Sequence, residues 1–364
     1  MGRPRPRRRL RRRRRCRSRI DSERTPIVAL RYSDGALHAI DQTALPWREL
    51  ELELRSAAHV ADAIRRLCIR GAPLIGVAAG YGLAIELAHE PGDLQSAAAT
   101  LRGARPTAVN LAHAVDRVAE AASELPLHQR AAAALAQARA IHLEEEAAST
   151  SIARHGAELL AGARRILTHC NTGALAAPGR GTALAVLAEL ADRGELQLVL
   201  VTESRPLLQG ARLTVYELRR LGIEHELLVD GAAAGLIASH DVDAVIVGCD
   251  RVAANGDVAN KVGTYALALA ASAAAIPFVV AGPSSTIDLS ASTGAEIAIE
   301  ERGAEEVLAA PSADGPAALS ISGTRCRNPA FDLTPASLIT ALVTERGVAR
   351  PPSAGSISSL LASA

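Results

Sequence analysis

From Arg165 onward the chain alternates short, unbroken apolar runs with stretches of helix length. RILTH, LQLVLV, HELLVD, DAVIVG and PFVVAG are each separated by alanine- and leucine-rich segments. A strand that is apolar at every position has both faces buried, and strands joined by helices run parallel because the helix carries the chain back over the sheet. This grammar predicts an α/β chain with a Rossmann-like, doubly wound parallel-sheet domain over residues 161–350. Ligands bind beyond the carboxyl ends of the strands in such a sheet. The polar clusters fall at those ends: HCNTG after the first run, TESRP after the second, CDRVAANGD after the fourth and PSSTID after the fifth. The second domain is therefore expected to be an enzyme or a ligand-binding domain.

Residues 28–160 read as a mainly helical N-terminal domain. The alternation around the turn-forming SDG predicts a small β-hairpin between Val28 and Leu54. AAHVADAIRRLCI, APLIGVAAGYGLAIELA, PTAVNLAHAVDRVAEAASE and an alanine-rich stretch from Gln129 to Leu160 then carry apolar residues at helical spacing. Residues 351–364 are expected to be a flexible tail. The first 27 residues are polybasic and are expected to be disordered. They read either as an arm for nucleic acid or a membrane surface, or as translated upstream sequence with the true start near Val28. Twelve arginines and no acid lie in residues 1–20, so removing them from the formal +1 leaves residues 21–364 at −11. A nucleic-acid role rests on that segment alone, because aromatic content is 2 % and no stacking residues accompany it. Five widely spaced cysteines, without a CxxC pair or a Cys/His cluster, argue against a disulfide framework or a zinc site and fit a reducing cytoplasm. No apolar run is expected to reach the ~18 residues that a membrane span needs.

Among 40 basic residues only Lys261 is a lysine. A compact three-donor ammonium is not copied by the wider guanidinium fork, so its retention marks Lys261 as a candidate ligand for phosphate or a sugar hydroxyl. With Asn260 it is expected at the start of the helix that follows the fourth strand. Cys170, at the end of the first strand, is a candidate base or nucleophile with a lowered pKa, or else a small buried hydrophobe. Asp250, ending the fourth, is a candidate general acid with a raised pKa, or else pairs with Arg251. Adjacent strands would bring the two together. Arg70-Gly71-Ala72-Pro73 and Arg105-Pro106-Thr107 read as helix starts with an arginine beside open N–H groups, which is an anion site in prospect. Arg205, Gln209 and Arg212 repeat the pattern after the second strand, Gln209 offering donor and acceptor to a hydroxyl. GxGxxG, P-loop and HExxH motifs are absent, which argues against a dinucleotide enzyme.

The strings RGAPLIGVAAGYGLA, RPTAVNLAHAVDR, LTHCNTGALA, ESRPLLQGARLTVYEL, GCDRVAANGDVANKVGTYALA, PFVVAGPSSTID, IEER and NPAFDLTPASLITALVTERG resemble, in order, the signatures of the methylthioribose-1-phosphate isomerase family, over about residues 29–349. That family shares a superfamily with regulatory subunits of a eukaryotic translation initiation exchange factor and with ribose 1,5-bisphosphate isomerases. The resemblance implies a cytoplasmic homodimer that turns 5-methylthioribose 1-phosphate into 5-methylthioribulose 1-phosphate in methionine salvage, with no metal or organic cofactor. It places the catalytic cysteine on Cys170, the acid/base aspartate on Asp250, and substrate binding on Arg70, Gly71, Ala72, Arg105, Gln209, Asn260 and Lys261. Two departures stand out: TESRP replaces the usual DETRP, and Cys249 replaces the usual alanine beside the acid. An isomerase of 5-deoxyribose 1-phosphate or another pentose 1-phosphate, and a non-catalytic regulatory subunit, are the competing expectations.

Overall fold

The computed structural model describes residues 26–105 and 108–362. The arginine-rich segment through residue 25, with both expectations attached to it, lies outside the described residues, as do Pro106 and Thr107. The chain opens with β1 (Leu30–Ser33), β2 (Ala36–Ile40) and β3 (Glu51–Leu54), paired antiparallel in that order. The expected hairpin thus gains a third strand. ELEL alternates two exposed glutamates with leucines turned towards the core, the period-two pattern of a strand with one wet face.

Five helices follow: α1 (Ala57–Arg65), α2 (Ala72–His89), α3 (Leu94–Arg102), α4 (Val109–Ser123) and α5 (Leu127–Leu159). Ser56 caps α1 by accepting from His59 N–H. α2 is apolar on every side and is correspondingly central, with the other four helices packed around it. It is long and apolar enough to cross a membrane, which corrects the expectation that no segment is, but most of it is buried among its neighbours. α5 has 33 residues and serves two cores: Ala134, Ala138 and Ile141 pack with the helical domain, while Ile152 and Ala157 pack against the sheet domain. One continuous helix therefore packs into both cores.

The second domain runs β4 (Arg165–Thr168), α6 (Ala183–Asp192), β5 (Leu198–Thr202), a π-turn (Gly210–Thr214) leading into α7 (Val215–Arg220), β6 (His225–Leu228), α8 (Ala233–Ala238) and β7 (Ala244–Val247). It continues with β8 (Arg251–Ala253), β9 (Val258–Lys261), α9 (Thr264–Ala273), β10 (Phe278–Ala281), β11 (Ile287–Asp288), α10 (Glu305–Leu308), β12 (Ala309–Ala310), β13 (Ala317–Ala318), β14 (Phe331–Thr334), β15 (Ala341–Thr344), β16 (Gly347–Ala349) and α11 (Ala354–Ala362). Seven strands form the main sheet in the order β16-β15-β10-β7-β4-β5-β6, all parallel except the antiparallel edge β16. Alternation sorts its side chains onto two faces. Ile166, Val199, Val201, Ile246 and Val279 meet α5, α6 and α7, whereas Leu167, Leu200, Val245, Val247 and Val280 meet α8, α9 and α11. β4 to β6 spread one way and β7, β10 and β15 the other, so the winding reverses between β4 and β7.

Two features depart from expectation. A second sheet, in the order β11-β8-β9-β14, stands beside the first and is built from segments that read as loop. Residues 351–364, expected as a flexible tail, include α11, whose Ile357 and Leu360 are buried against the sheet's outer core, because apolar side chains three apart on one helix face bury more surface when docked.

Candidate active site

The reversal point places the chemistry. A crevice opens beyond the carboxyl ends of two neighbouring strands whose connections leave in opposite directions. β4 ends at Thr168 and is followed by Cys170, while β7 ends at Val247 and is followed by Asp250, and the two strands pair directly. Cys170 and Asp250 line one cavity of about 70 Å³ with Arg70, Gly71, Arg105, Gln209 and Lys261. Ala72 lines a small adjoining cavity that shares Arg105 and Asp250. The helical domain supplies Arg70 to Ala72 and Arg105; the sheet domain supplies the rest.

Asn260 is not brought into this lining. Asn260 and Lys261 are the last two residues of β9 rather than the start of a helix, which corrects the expectation; α9 begins only at Thr264. Consecutive strand residues point to opposite faces. Lys261 therefore turns into the cavity, and Asn260 Nδ2 donates instead to Thr264 Oγ1 at 2.9 Å.

Gly71 holds the two domains together at the site. Its φ is +98°, and a Cβ there would lie 2.4 Å from Ala176 O, so no larger residue fits. Leu74 N–H donates to that same carbonyl at 3.2 Å, which spends one donor of the α2 start on the domain contact. Arg70 is buried and donates from Nε to Gln42 Oε1 at 2.9 Å, from one terminal nitrogen to Asn171 O at 3.1 Å, and from the other to Asn171 Oδ1. Among the described residues it forms no direct ion pair, so its charge is left for a ligand. α4 begins at Val109, so Arg105 precedes the helix by several residues instead of standing beside its first turn. It pairs with Glu300 while its Nε stays buried without a partner. Gln209 Oε1 is likewise buried and unpartnered. One orphan donor and one orphan acceptor on the wall of a single cavity ask for a ligand that both accepts and donates, as a phosphorylated polyol does.

Arg205 and Arg212 do not join the site. Arg205 donates to Pro206 O and Val307 O, and Arg212 donates to Leu207 O, Gln42 O and Leu45 O, so both clamp backbone. Arg251 pairs with Asp288, which leaves Asp250 free of it.

Electrostatics separate the two central groups from their usual behaviour. Burial pushes the Asp250 carboxyl up, against the pull of Arg105, Lys261 and Arg70, and so favours its protonated form. Burial also pushes the Cys170 thiol up, with Arg70 and Lys261 opposing, which corrects the expectation of a lowered pKa: desolvation outweighs two cations. Burial lowers Lys261, while Cys170 and Asp250 favour its charged form. The cysteine is held rigidly. Its φ is +63°, its N–H donates to Ser204 Oγ at 2.7 Å and its carbonyl accepts from Thr214 Oγ1 at 2.6 Å. His169 Nε2 lies 2.9 Å from Val262 O, which only accepts, so the neutral ring has its proton there and Nδ1 accepts from Thr202 Oγ1 at 2.6 Å.

Sequence reasoning missed Arg302, which lines the cavity and is held charged by Glu306 and Glu300. It missed the apolar wall of Leu67, Leu207 and Phe331, and the buried Glu217 behind Asn171. The signal for Glu217 was present: a lone carboxylate in the helical run LTVYEL. A vestibule of about 500 Å³ adjoins the cavity through Leu67, Arg70, Leu207, Gln209 and Arg302. A larger groove of about 870 Å³ is lined by Asn110, Glu145, Ser285 and Glu345, away from Cys170 and Asp250. Among the described residues, no three His, Cys, Asp or Glu side chains converge to hold a metal ion.

A helical domain closed over the reversal point of a parallel sheet, with cations around a paired thiol and carboxylate, defines a two-domain α/β protein built to hold and transform a small anionic ligand. The chain belongs to the initiation factor 2 subunit family, whose model matches residues 68–351. It is 50 % identical over 341 residues to methylthioribose-1-phosphate isomerase of Anaeromyxobacter sp. (strain K), covering 93 % of this chain and 98 % of that one. It is 47 % identical over 348 residues to 5-deoxyribose 1-phosphate isomerase of Moorella thermoacetica, covering 93 % and 98 %. Among solved structures, 5-methylthioribose 1-phosphate isomerase of Pyrococcus horikoshii OT3 matches with a TM-score of 0.84 at 37 % identity, over 93 % of this chain and 96 % of that one. Translation initiation factor eIF-2B, subunit delta, from A. fulgidus matches with a TM-score of 0.81 at 36 % identity, over 92 % and 99 %.

Proposed function

We propose that this protein is an aldose–ketose isomerase that converts 5-methylthioribose 1-phosphate to 5-methylthioribulose 1-phosphate in methionine salvage. The observation that carries the reading is the single cavity in which Cys170, Asp250, three arginines and Lys261 meet the unpartnered Arg105 Nε and Gln209 Oε1. Near-full-length similarity to isomerases of two 1-phosphorylated pentoses supports it. Phosphate on the anomeric oxygen blocks spontaneous ring opening. Asp250, whose protonated form burial favours, gives its proton to the ring oxygen as the bond from that oxygen to C1 breaks, and C1 becomes electron-poor. Hydrogen then passes with its electron pair from C2 to C1, and the Asp250 carboxylate takes the C2 hydroxyl proton as the ketone forms. On this route Cys170, whose neutral thiol burial favours, polarises the transition state. Arg70, Arg105 and Lys261 hold the phosphate; Gly71, Ala72, Gln209 and the neighbourhood of Asn260 shape the pocket. All four cysteines among the described residues are free thiols, which supports a reducing, cytoplasmic setting. The reading carries a homodimer with it, and exposed Tyr265 and Leu269, one turn apart on α9, offer apolar surface to a second copy.

The test is turnover of 5-methylthioribose 1-phosphate beside 5-deoxyribose 1-phosphate, run in deuterated water. Faster turnover of the thioether substrate, with no solvent deuterium at C1 of the product, is expected. Preference for the deoxy sugar moves the assignment to that substrate, and no turnover of either overturns it.

A further inference from the structure

We propose that Glu217 is a positioning residue for this site: through the side-chain amide of Asn171 it fixes the guanidinium of Arg70, without lining the cavity itself. The inference rests on the isomerase reading only for what the assay measures. Glu217 sits on α7 at 2 % exposure and is absent from the cavity wall. Its carboxylate faces donors alone: Asn171 Nδ2 at 2.7 Å and Leu175 N at 3.4 Å on one oxygen, and Ala174 N at 2.7 Å on the other. The space is reserved for it, because a Cβ at Gly173 would lie 2.3 Å from its Oε2.

An ionised carboxylate accepts and never donates, so it dictates which end of the Asn171 amide points towards it. Thr214 Oγ1, 3.2 Å from Asn171 Nδ2, gives its own proton to Cys170 O and therefore also accepts from that amide. With Nδ2 committed to Glu217 and Thr214, Oδ1 must face the other way, where Arg70 donates to it. The order is carboxylate, amide, guanidinium, each link polarised in one sense, and it crosses from the sheet domain to the helical domain. The same amide belongs to the residue after Cys170, so the strained turn that carries the thiol is held by the same acceptor. Arg70 is the charged group that faces Glu217, and it opposes the burial that pushes this carboxyl up to about 7.

The link predicts a specific pattern of loss and rescue at pH 8. Glu217→Gln leaves one acceptor oxygen, which the Ala174 N–H claims, so the new NH2 faces Asn171, favours the reversed Asn171 amide and turns its NH2 against the guanidinium. Asn171→Asp keeps an acceptor for Arg70 but sets two carboxylates together. Each change alone is expected to lower kcat/KM about 10- to 100-fold, mainly by raising KM, because each leaves a buried polar group mismatched. In the double variant the introduced amide donates to the introduced carboxylate, which still accepts from Arg70, so each link is again a donor–acceptor pair at unchanged total charge, and most of the loss is expected to be recovered. A double variant at or below the product of the single losses overturns the proposal, as does wild-type kinetics in Glu217→Gln. Calorimetric binding of inorganic phosphate to the same four proteins reads the same pattern without turnover, so failure of the isomerase assignment stays distinguishable from failure of this link. Thermal melting of each variant separates a displaced Arg70 from a chain that fails to fold.

Discussion

At the scale of the residue, the site works by withholding solvent from charge. Asp250 and Cys170 are both pushed towards their neutral forms by burial although three cations surround them. The proposed route needs no opposite behaviour of the two neighbouring groups; it uses Asp250 as a proton donor and Cys170 as a neutral thiol. Asp250→Asn and Cys170→Ala are each expected to lower kcat by about 10²–10⁴ with the thermal midpoint held within a few degrees, because proton transfer and transition-state contacts are lost while packing is kept. Turnover near wild type in either variant overturns these roles. The lone lysine shows what composition can and cannot say. Its rarity singled it out, but its burial at the end of a strand and its turn into the cavity come from β9 pairing with β14, where Lys261 stands opposite Phe331.

At the scale of the element, the start of α2 does two jobs at once. Arg70 reaches into the sheet domain while Gly71 lets the backbone pass within contact of Ala176. Gly71→Ala combines a left-handed backbone with a Cβ aimed at a carbonyl, and the backbone strain by itself costs about 1–3 kcal/mol. Its thermal midpoint is expected to fall by several degrees and its KM to rise together, since both follow from a displaced α2; a loss of one without the other would separate the two functions. Helices were legible because their apolar periodicity is long, and the central strands because their short runs are apolar and set between helices. β11, β14, β15 and the second sheet were not: Ile287–Asp288 is two residues long, β8, β9 and β14 set Arg251, Lys261 and Asp332 among apolar residues, and no α-helix separates β15 from β14. α11 escaped for a related reason: in a Ser/Ala-rich segment Ile357 and Leu360 are few, and only the sheet face gives them something to bury against.

At the scale of the whole molecule, the two domains are tied by α5 and by polar contacts that respond to pH. Glu145 on α5 accepts from Ser285 Oγ at 3.1 Å across the domain boundary, and Ser285 also accepts from Asn110. Burial raises Glu145 from 4.5 to about 7, Ser285 opposes, and Glu345 and Glu144 add to the rise. The folded chain thus holds this proton more tightly than the unfolded one. The resulting penalty is absent below about pH 4.5 and complete above about pH 7, so stability falls as pH climbs through that window. Glu145→Gln is expected to be more stable than wild type by about 1–3 kcal/mol at pH 8 and equal to it at pH 4. Denaturant unfolding at the two values checks this, and a difference that does not depend on pH would refute it.

The sequence by itself determined a helical segment followed by a parallel sheet, five of that sheet's seven strands, and the placing of Cys170 and Asp250 after the ends of two of them. Continuous apolar runs and strand-end polar clusters are local signals, and a parallel sheet leaves few ways to arrange them. Tertiary structure alone decided which polar groups remain without protein partners, which way Asn260 and Lys261 face, and that burial overrides nearby cations at the thiol. Those outcomes depend on solvent exclusion and strand register, which are sums over residues distant in the chain. The carboxylate of Glu217 acquires its place in the same way: nothing beside it in sequence requires a charge, and the donors it satisfies arrive from another strand's turn.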